Sequence, residues 1–151
     1  MSALVVDTSS WVAYLGRGDG DLLDEALDEG RVHLPPIVAA ELVSGRMTAG
    51  QRRTFEQLLA DLPLCATGLD HWVRVGRLRA ALAARGLQVS TPDAHVAQCA
   101  LDLRGALLTE DAVFARIARI VPLRLADEVR PGRLRRRRAA AAPATSASGT
   151  R

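Results

Sequence analysis

An α/β fold built on a mainly parallel sheet is what this 151-residue sequence predicts, and three observations predict it. Short apolar runs ("ALVV", "RVHL", "ALL", "VPLRL") recur along the chain, each of strand length and each bounded by polar or turn-forming residues. Between them lie longer amphipathic stretches, opened by Ser, Thr, Asp or Pro and in several cases closed by Gly. Strands and helices therefore alternate, the pattern of a parallel sheet covered by helices.

Taken in order, "ALVVD" reads as a first buried strand ending at Asp7, and "SSWVAYL" as a short helix that Ser9 or Ser10 can cap. "GRGDGD" is a loop, and it lacks the spacing of a dinucleotide-binding turn. "DLLDEALDEG" is a helix ending at Gly30, followed by the short strand "RVHL". Pro35 and Pro36 open a helix through "IVAAELVSG", because proline is tolerated in a first turn. "TAGQRRTFEQLLADL" is a further amphipathic helix, and "PLCAT" is a candidate strand. A long helix with an arginine-rich outer face runs to Gly86. The next is capped by Ser90 or Thr91, carries Pro92 in its first turn and closes at Gly105. "ALLTED" repeats the opening logic of apolar strand, hydroxyl and acid; "DAVFARIARI" is a helix and "VPLRL" a last strand.

Composition narrows the class. Hydrophobic residues make up 48% of the chain but aromatics only 3%, so the core is built from Ala, Val, Leu and Ile. No apolar run reaches the length of a membrane span and no signal peptide is legible, so a soluble cytoplasmic protein is expected. Cys65 and Cys99 lack CxxC spacing, which argues against a zinc site or a disulfide framework. All 20 basic residues are arginine. Seven lie beyond residue 129, where no acid occurs, leaving 13 arginines against 17 acids and a net charge of −4 in residues 1–129. The expected organisation is an acidic catalytic domain over 1–129 and a basic, low-complexity, disordered tail over 130–151.

Four acids fall at unusual places. Asp7 and Asp111 follow the ends of apolar strands, where open α/β sheets display their sites. Glu41 interrupts "IVAAELV", a helix apolar on almost every side, and reads as a buried acid. Asp93 stands at a helix start, where an acid also suits the helix dipole. Singly, each has an ordinary account: Asp93 and Asp111 as helix caps, Glu41 on a solvated stripe.

Together, "VVDTSSWVAYL", "PPIVAAELVSG", "TPDAHVAQCAL" and "LLTEDAVFARIA" resemble the PIN-domain ribonucleases, and among them the VapC-like toxins of toxin–antitoxin pairs, over about residues 3 to 126. The resemblance implies a three-layer α/β/α sandwich. It implies that Asp7, Glu41, Asp93 and Asp111 are catalytic acids that bind Mg2+ or Mn2+, with Thr8 or Ser9, and Thr109, as supporting hydroxyls. The expected activity is metal-dependent hydrolysis of RNA, and the expected partners are a cognate antitoxin and a second copy in a homodimer. The sequence departs from many relatives at Val113, where they carry a further acid. Such chemistry needs no histidine, so His33, His71 and His95 read as bystanders, although His95 is close to Asp93 on its helix. A receiver domain would want an acidic pair on the first strand and a late lysine. A haloacid-dehalogenase-like phosphatase would want an acid where Ser9 stands, and a P-loop NTPase its GxxxxGK[ST] motif; none is present. The remaining alternative is a non-catalytic PIN fold that binds RNA or a protein.

Overall fold

A computed structural model describes residues 2–17 and 20–127. Its centre is β1 (Leu4–Val6), buried at all three positions, as expected of a strand covered on both faces. β2 (Val32–His33) pairs with one edge of β1, and β3 (Ala106–Leu108) with the other. β4 (Arg124–Leu125) pairs with β3, giving the order β2-β1-β3-β4 with every pair parallel. The register sets Val6 beside Leu108, so the residues that follow the two central strands leave the sheet together.

Seven helices join these strands among the described residues: α1 (Thr8–Arg17), α2 (Asp21–Asp28), α3 (Pro36–Val43), α4 (Ala49–Ala60), α5 (Leu69–Ala84), α6 (Thr91–Asp102) and α7 (Val113–Ala118). They make the outer layers of an α/β/α sandwich, with α6 packed across β1 and β3 and α5 packed on α6. α6 is the most enclosed helix, buried without interruption from Ala94 to Ala100. Trp11 is fully buried, edge-on to Tyr14 and Phe55, and so links α1 to α4. The acceptor and donor of a capping box, Thr48 and Gln51, open α4. No helix among the described residues is long and apolar enough to cross a membrane.

Three departures from the sequence reading have physical causes. "PLCAT" forms only an isolated bridge, Leu34 to Leu64, instead of a strand. Pro63 has no N–H to donate, and its carbonyl accepts from Leu34. The "GRGDGD" loop is shorter than expected, because α1 continues through Gly16 and Arg17. Ends of helices are the third case. Gly30 and Gly86 take positive φ (67° and 81°) and close α2 and α5 with paired 6→1 and 5→2 hydrogen bonds, the Schellman arrangement. At the end of α6 the left-handed residue is Arg104 (φ 50°), one position before the glycine expected to close it. The basic tail over 130–151 lies outside the described residues.

Gly105 is required for a different reason. A Cβ there would stand 2.4 Å from the Ala3 carbonyl oxygen, the atom that accepts from Ala106 N at 3.0 Å and starts the β1–β3 pairing. Gly105→Ala must push the two central strands apart, so we expect a loss of about 1–3 kcal/mol in urea unfolding. Gly50→Ala, where nothing lies within 4 Å of the added carbon, is the matched control and should be neutral or slightly stabilising.

Candidate active site

The carboxyl ends of β1 and β3 hold the first two acids. Asp7 N donates to Leu108 O (2.9 Å), the last rung between the strands, and Asp7 O accepts from Ser10 N and Trp11 N (both 3.1 Å). The backbone of Asp7 therefore opens α1, and neither serine has the capping role expected of it. Ser9 Oγ instead donates to Asp7 Oδ2 (2.9 Å) and accepts from Glu110 N (3.0 Å); Ser10 Oγ is buried without a partner among the described residues. Thr109 Oγ1 also donates to Asp7 Oδ2 (3.1 Å), and it accepts from Asp111 N (3.0 Å). Two hydroxyls from two strand ends thus fix one oxygen of a buried carboxylate.

Asp111 Oδ1 accepts from Val113 N (3.0 Å), the first residue of the short α7, whose N-cap position is Ala112. Asp93 is not a cap: Ser90 Oγ takes that position, accepting from Asp93 N (3.2 Å), and Thr91 does not. Burial raises the Asp93 pKa above the usual carboxylate value; the nearby Asp111 and Asp7 add to the rise, while Ser90 opposes it. Asp7, Asp93 and Asp111, from three separated stretches of chain, therefore share one electrostatic field. Glu41 corrects the sequence reading. It is exposed, because α3 buries only Val38 and Leu42 and turns Glu41 outward. Its Oε2 accepts from Thr8 Oγ1 (3.1 Å), which ties it to the residue after Asp7.

The donor set is one of carboxylates braced by hydroxyls, with mutual repulsion that a divalent cation would offset. It fits a hard ion such as Mg2+ or Mn2+, which prefers oxygen ligands and keeps several waters. Val113, on the first turn of α7, offers no further oxygen.

Sequence reasoning passed over the histidines. His71 and His95 are buried and hydrogen-bonded to each other, Nε2 to Nδ1 at 2.7 Å. His71 Nδ1 meets Asp102 Oδ2 (2.9 Å). His33 Nδ1 lies 3.0 Å from Arg31 O. His95 is on the side of α6 that faces α5, so its sequence proximity to Asp93 places it in a different cluster. One signal was legible: His95 and Cys99 are four apart, on one face of a helix.

Against known proteins, the PIN domain family model matches residues 4–120. No curated protein matches the chain. Among solved structures, VapBC-5 of Mycobacterium tuberculosis, a member of the VapBC family of toxin–antitoxin systems, is 28% identical with a TM-score of 0.60, over 83% of this chain and 98% of that one. The DNA-bound VapBC of Salmonella typhimurium is 23% identical with a TM-score of 0.68, over 84% and 98%. VapBC2 of Rickettsia felis, bound to a promoter DNA fragment, is 21% identical with a TM-score of 0.67, over 82% and 97%. With a family model matched over most of its length and a parallel sheet that ends in hydroxyl-braced acids, this chain belongs to the PIN domain family.

Proposed function

We propose that the chain is a metal-dependent endoribonuclease and the VapC-like toxin of a type II toxin–antitoxin pair, acting in the cytoplasm. The observation that carries the reading is the Asp7 carboxylate, held by Ser9 and Thr109 beside an Asp93 whose charge Asp111 and Asp7 disfavour. Asp7, Glu41, Asp93 and Asp111 would hold Mg2+ or Mn2+, which supplies polarisation of a phosphoryl oxygen and activation of water when bound. The protein's own contribution is orientation. Ser9 and Thr109 keep Asp7 in one rotamer, Thr8 steadies Glu41, and Ser90 fixes the start of the helix that carries Asp93. Water attacks phosphorus in line and the P–O3′ bond breaks, leaving a 5′-phosphate and a 3′-hydroxyl. Purified protein should cleave structured RNA with magnesium and lose that activity in chelator; RNA bound but never cut would favour the non-catalytic alternative.

The partner reading rests on a groove of about 660 Å³ lined by Leu15, Arg46, Met47, Thr54, Phe55 and Leu58, with exposed Val12 close by on α1. An apolar segment of a small antitoxin suits it, with a cation reaching the acids. The similar structures include a member of the VapBC family of toxin–antitoxin systems and a toxin–antitoxin complex from Klebsiella pneumoniae, which favours an antitoxin partner here; the homodimer is what the family resemblance implies. Co-purification with the product of a neighbouring reading frame tests this; unhindered growth of cells expressing the chain alone would count against it.

The tail enters as an affinity device. Truncation after residue 129 removes seven arginines and should weaken RNA binding at low salt without moving the cleavage positions. For every phosphate that an arginine no longer neutralises, the salt dependence of binding should flatten by about 0.7. An unchanged salt slope would leave the tail without a role in RNA binding.

A further inference from the structure

Away from the acids, the α5–α6 interface encloses three side chains that bind borderline-soft metals better than they bind magnesium. His71, His95 and Cys99 are 1%, 0% and 1% exposed, and their donor atoms lie within 4.8 Å of one another. His95 and Cys99 stand one helical turn apart on α6, and His71 reaches them from the first turn of α5. The Trp72 ring stacks on His95, with centroids 4.7 Å apart and planes at 16°, and covers it. We propose that His71, His95 and Cys99 form a site for a borderline-soft divalent ion of the zinc class, distinct from the acid cluster.

Two features favour an ion over a polar network that only joins two helices. First, Asp102 holds the Nδ1 side of His71 and leaves Nε2 directed into the cluster. An ionised carboxylate only accepts, so His71 donates from Nδ1 and presents a lone pair at Nε2. A carboxylate behind a ligating histidine is the usual way such a ligand is oriented. Arg74 and Gln98 in turn hold Asp102. Second, the spacing needs little change. Donors around one tetrahedral zinc lie roughly 3.3–3.9 Å apart, given Zn–N near 2.0 Å and Zn–S near 2.3 Å. The histidine nitrogens, now 2.7 Å apart, must open by about 0.6 Å. The widest of the three separations must close by about 1 Å. Uptake moves the proton shared between the imidazoles to His95 Nε2, leaving both rings neutral, and releases the Cys99 thiol proton to solvent, with no oxidant or reductant required. With two donors on α6 and one on α5, the ion would pin α5 to the helix that carries Asp93.

The test uses the untagged full chain, reduced and metal-free, titrated with cobalt(II) and then zinc. We expect a thiolate-to-cobalt charge-transfer band with tetrahedral visible bands, saturating near about one ion per chain and displaced by zinc. The same spectrum should persist in Asp93→Asn, which separates this site from the acid cluster, and disappear in Cys99→Ser. Asp102→Asn should retain the band but weaken zinc binding by roughly 10–100-fold. Only cysteine sulfur gives that band, so the parent spectrum decides even if Cys99→Ser fails to fold. A folded parent with no charge-transfer band, or a band that survives in folded Cys99→Ser, overturns the proposal.

Discussion

Asp93→Asn is expected to reduce magnesium-dependent RNA cleavage by at least about a thousandfold while leaving the metal-free protein as stable as the parent or more so. The two effects share one cause. Burial, with Asp111 and Asp7 nearby, raises the Asp93 pKa, so the folded protein prefers this group protonated. A raised folded pKa contributes stability that is complete below the ordinary value near 3.9 and is lost as pH rises through the folded value. At neutral pH the charged carboxylate therefore costs stability in the absence of metal, and the neutral amide removes that cost. The helix start is not at risk, because Ser90 provides the cap. Melting in chelator should show parent and variant converging as pH is lowered. Magnesium at 100 times its Kd would stabilise the parent by about 2.7 kcal/mol, and this rise should shrink in the variant. Normal magnesium-dependent cleavage by Asp93→Asn would remove Asp93 from the catalytic set.

What the sequence disclosed, and what it hid, divides along range. Asp7 was legible because a buried strand and the acid that ends it are neighbours in the chain. Gly30 and Gly86 were legible as helix ends because a left-handed residue is a local demand that glycine meets without strain. Gly105 is expected to close α6 but stands one residue beyond the left-handed position, since the demand there is a close approach to Ala3, made across the sheet. Glu41 reads as buried from the apolar character of α3 as a whole. Which side of that helix meets the core depends on α1, α4 and α6, and of these only α4 is its neighbour in the chain.

The histidine and cysteine cluster shows the same limit more sharply. His71 lies on α5 and His95 and Cys99 on α6, so spacing along the chain looks like isolation. Only the packing of α5 on α6 turns them toward one another. The hydroxyls beside Asp7 are an intermediate case. Their identity was legible, but the sharing of Oδ2 between Ser9 and Thr109 depends on the β1–β3 register.

That cluster also carries the second large effect, on stability instead of activity. In chelator, so that no bound ion contributes, Asp102→Ala is expected to cost about 2–4 kcal/mol in urea unfolding at neutral pH. The Arg74 pair is bidentate, at 2.9 Å to each oxygen, but Arg74 is 43% exposed and solvent screening keeps its share small. The larger share comes from His71 and Gln98, both buried, whose N–H groups would lose their acceptor, at about 1–3 kcal/mol for an unsatisfied donor. Burial pushes the Asp102 pKa up, but hydrogen bonds from Arg74, His71 and Gln98 outweigh it and hold the pKa down at about 2. A lowered folded pKa contributes stability that is complete above the ordinary value near 3.9 and is lost as pH falls through the folded value. The advantage of the parent over Asp102→Asn should therefore fade between about pH 4 and about pH 2 and stay level above that window. An Asp102→Ala protein within about 0.5 kcal/mol of the parent would mean that water replaces the carboxylate at no cost. In that case α5 is held on α6 by its apolar side chains alone, among them Val75, Leu78 and Leu82.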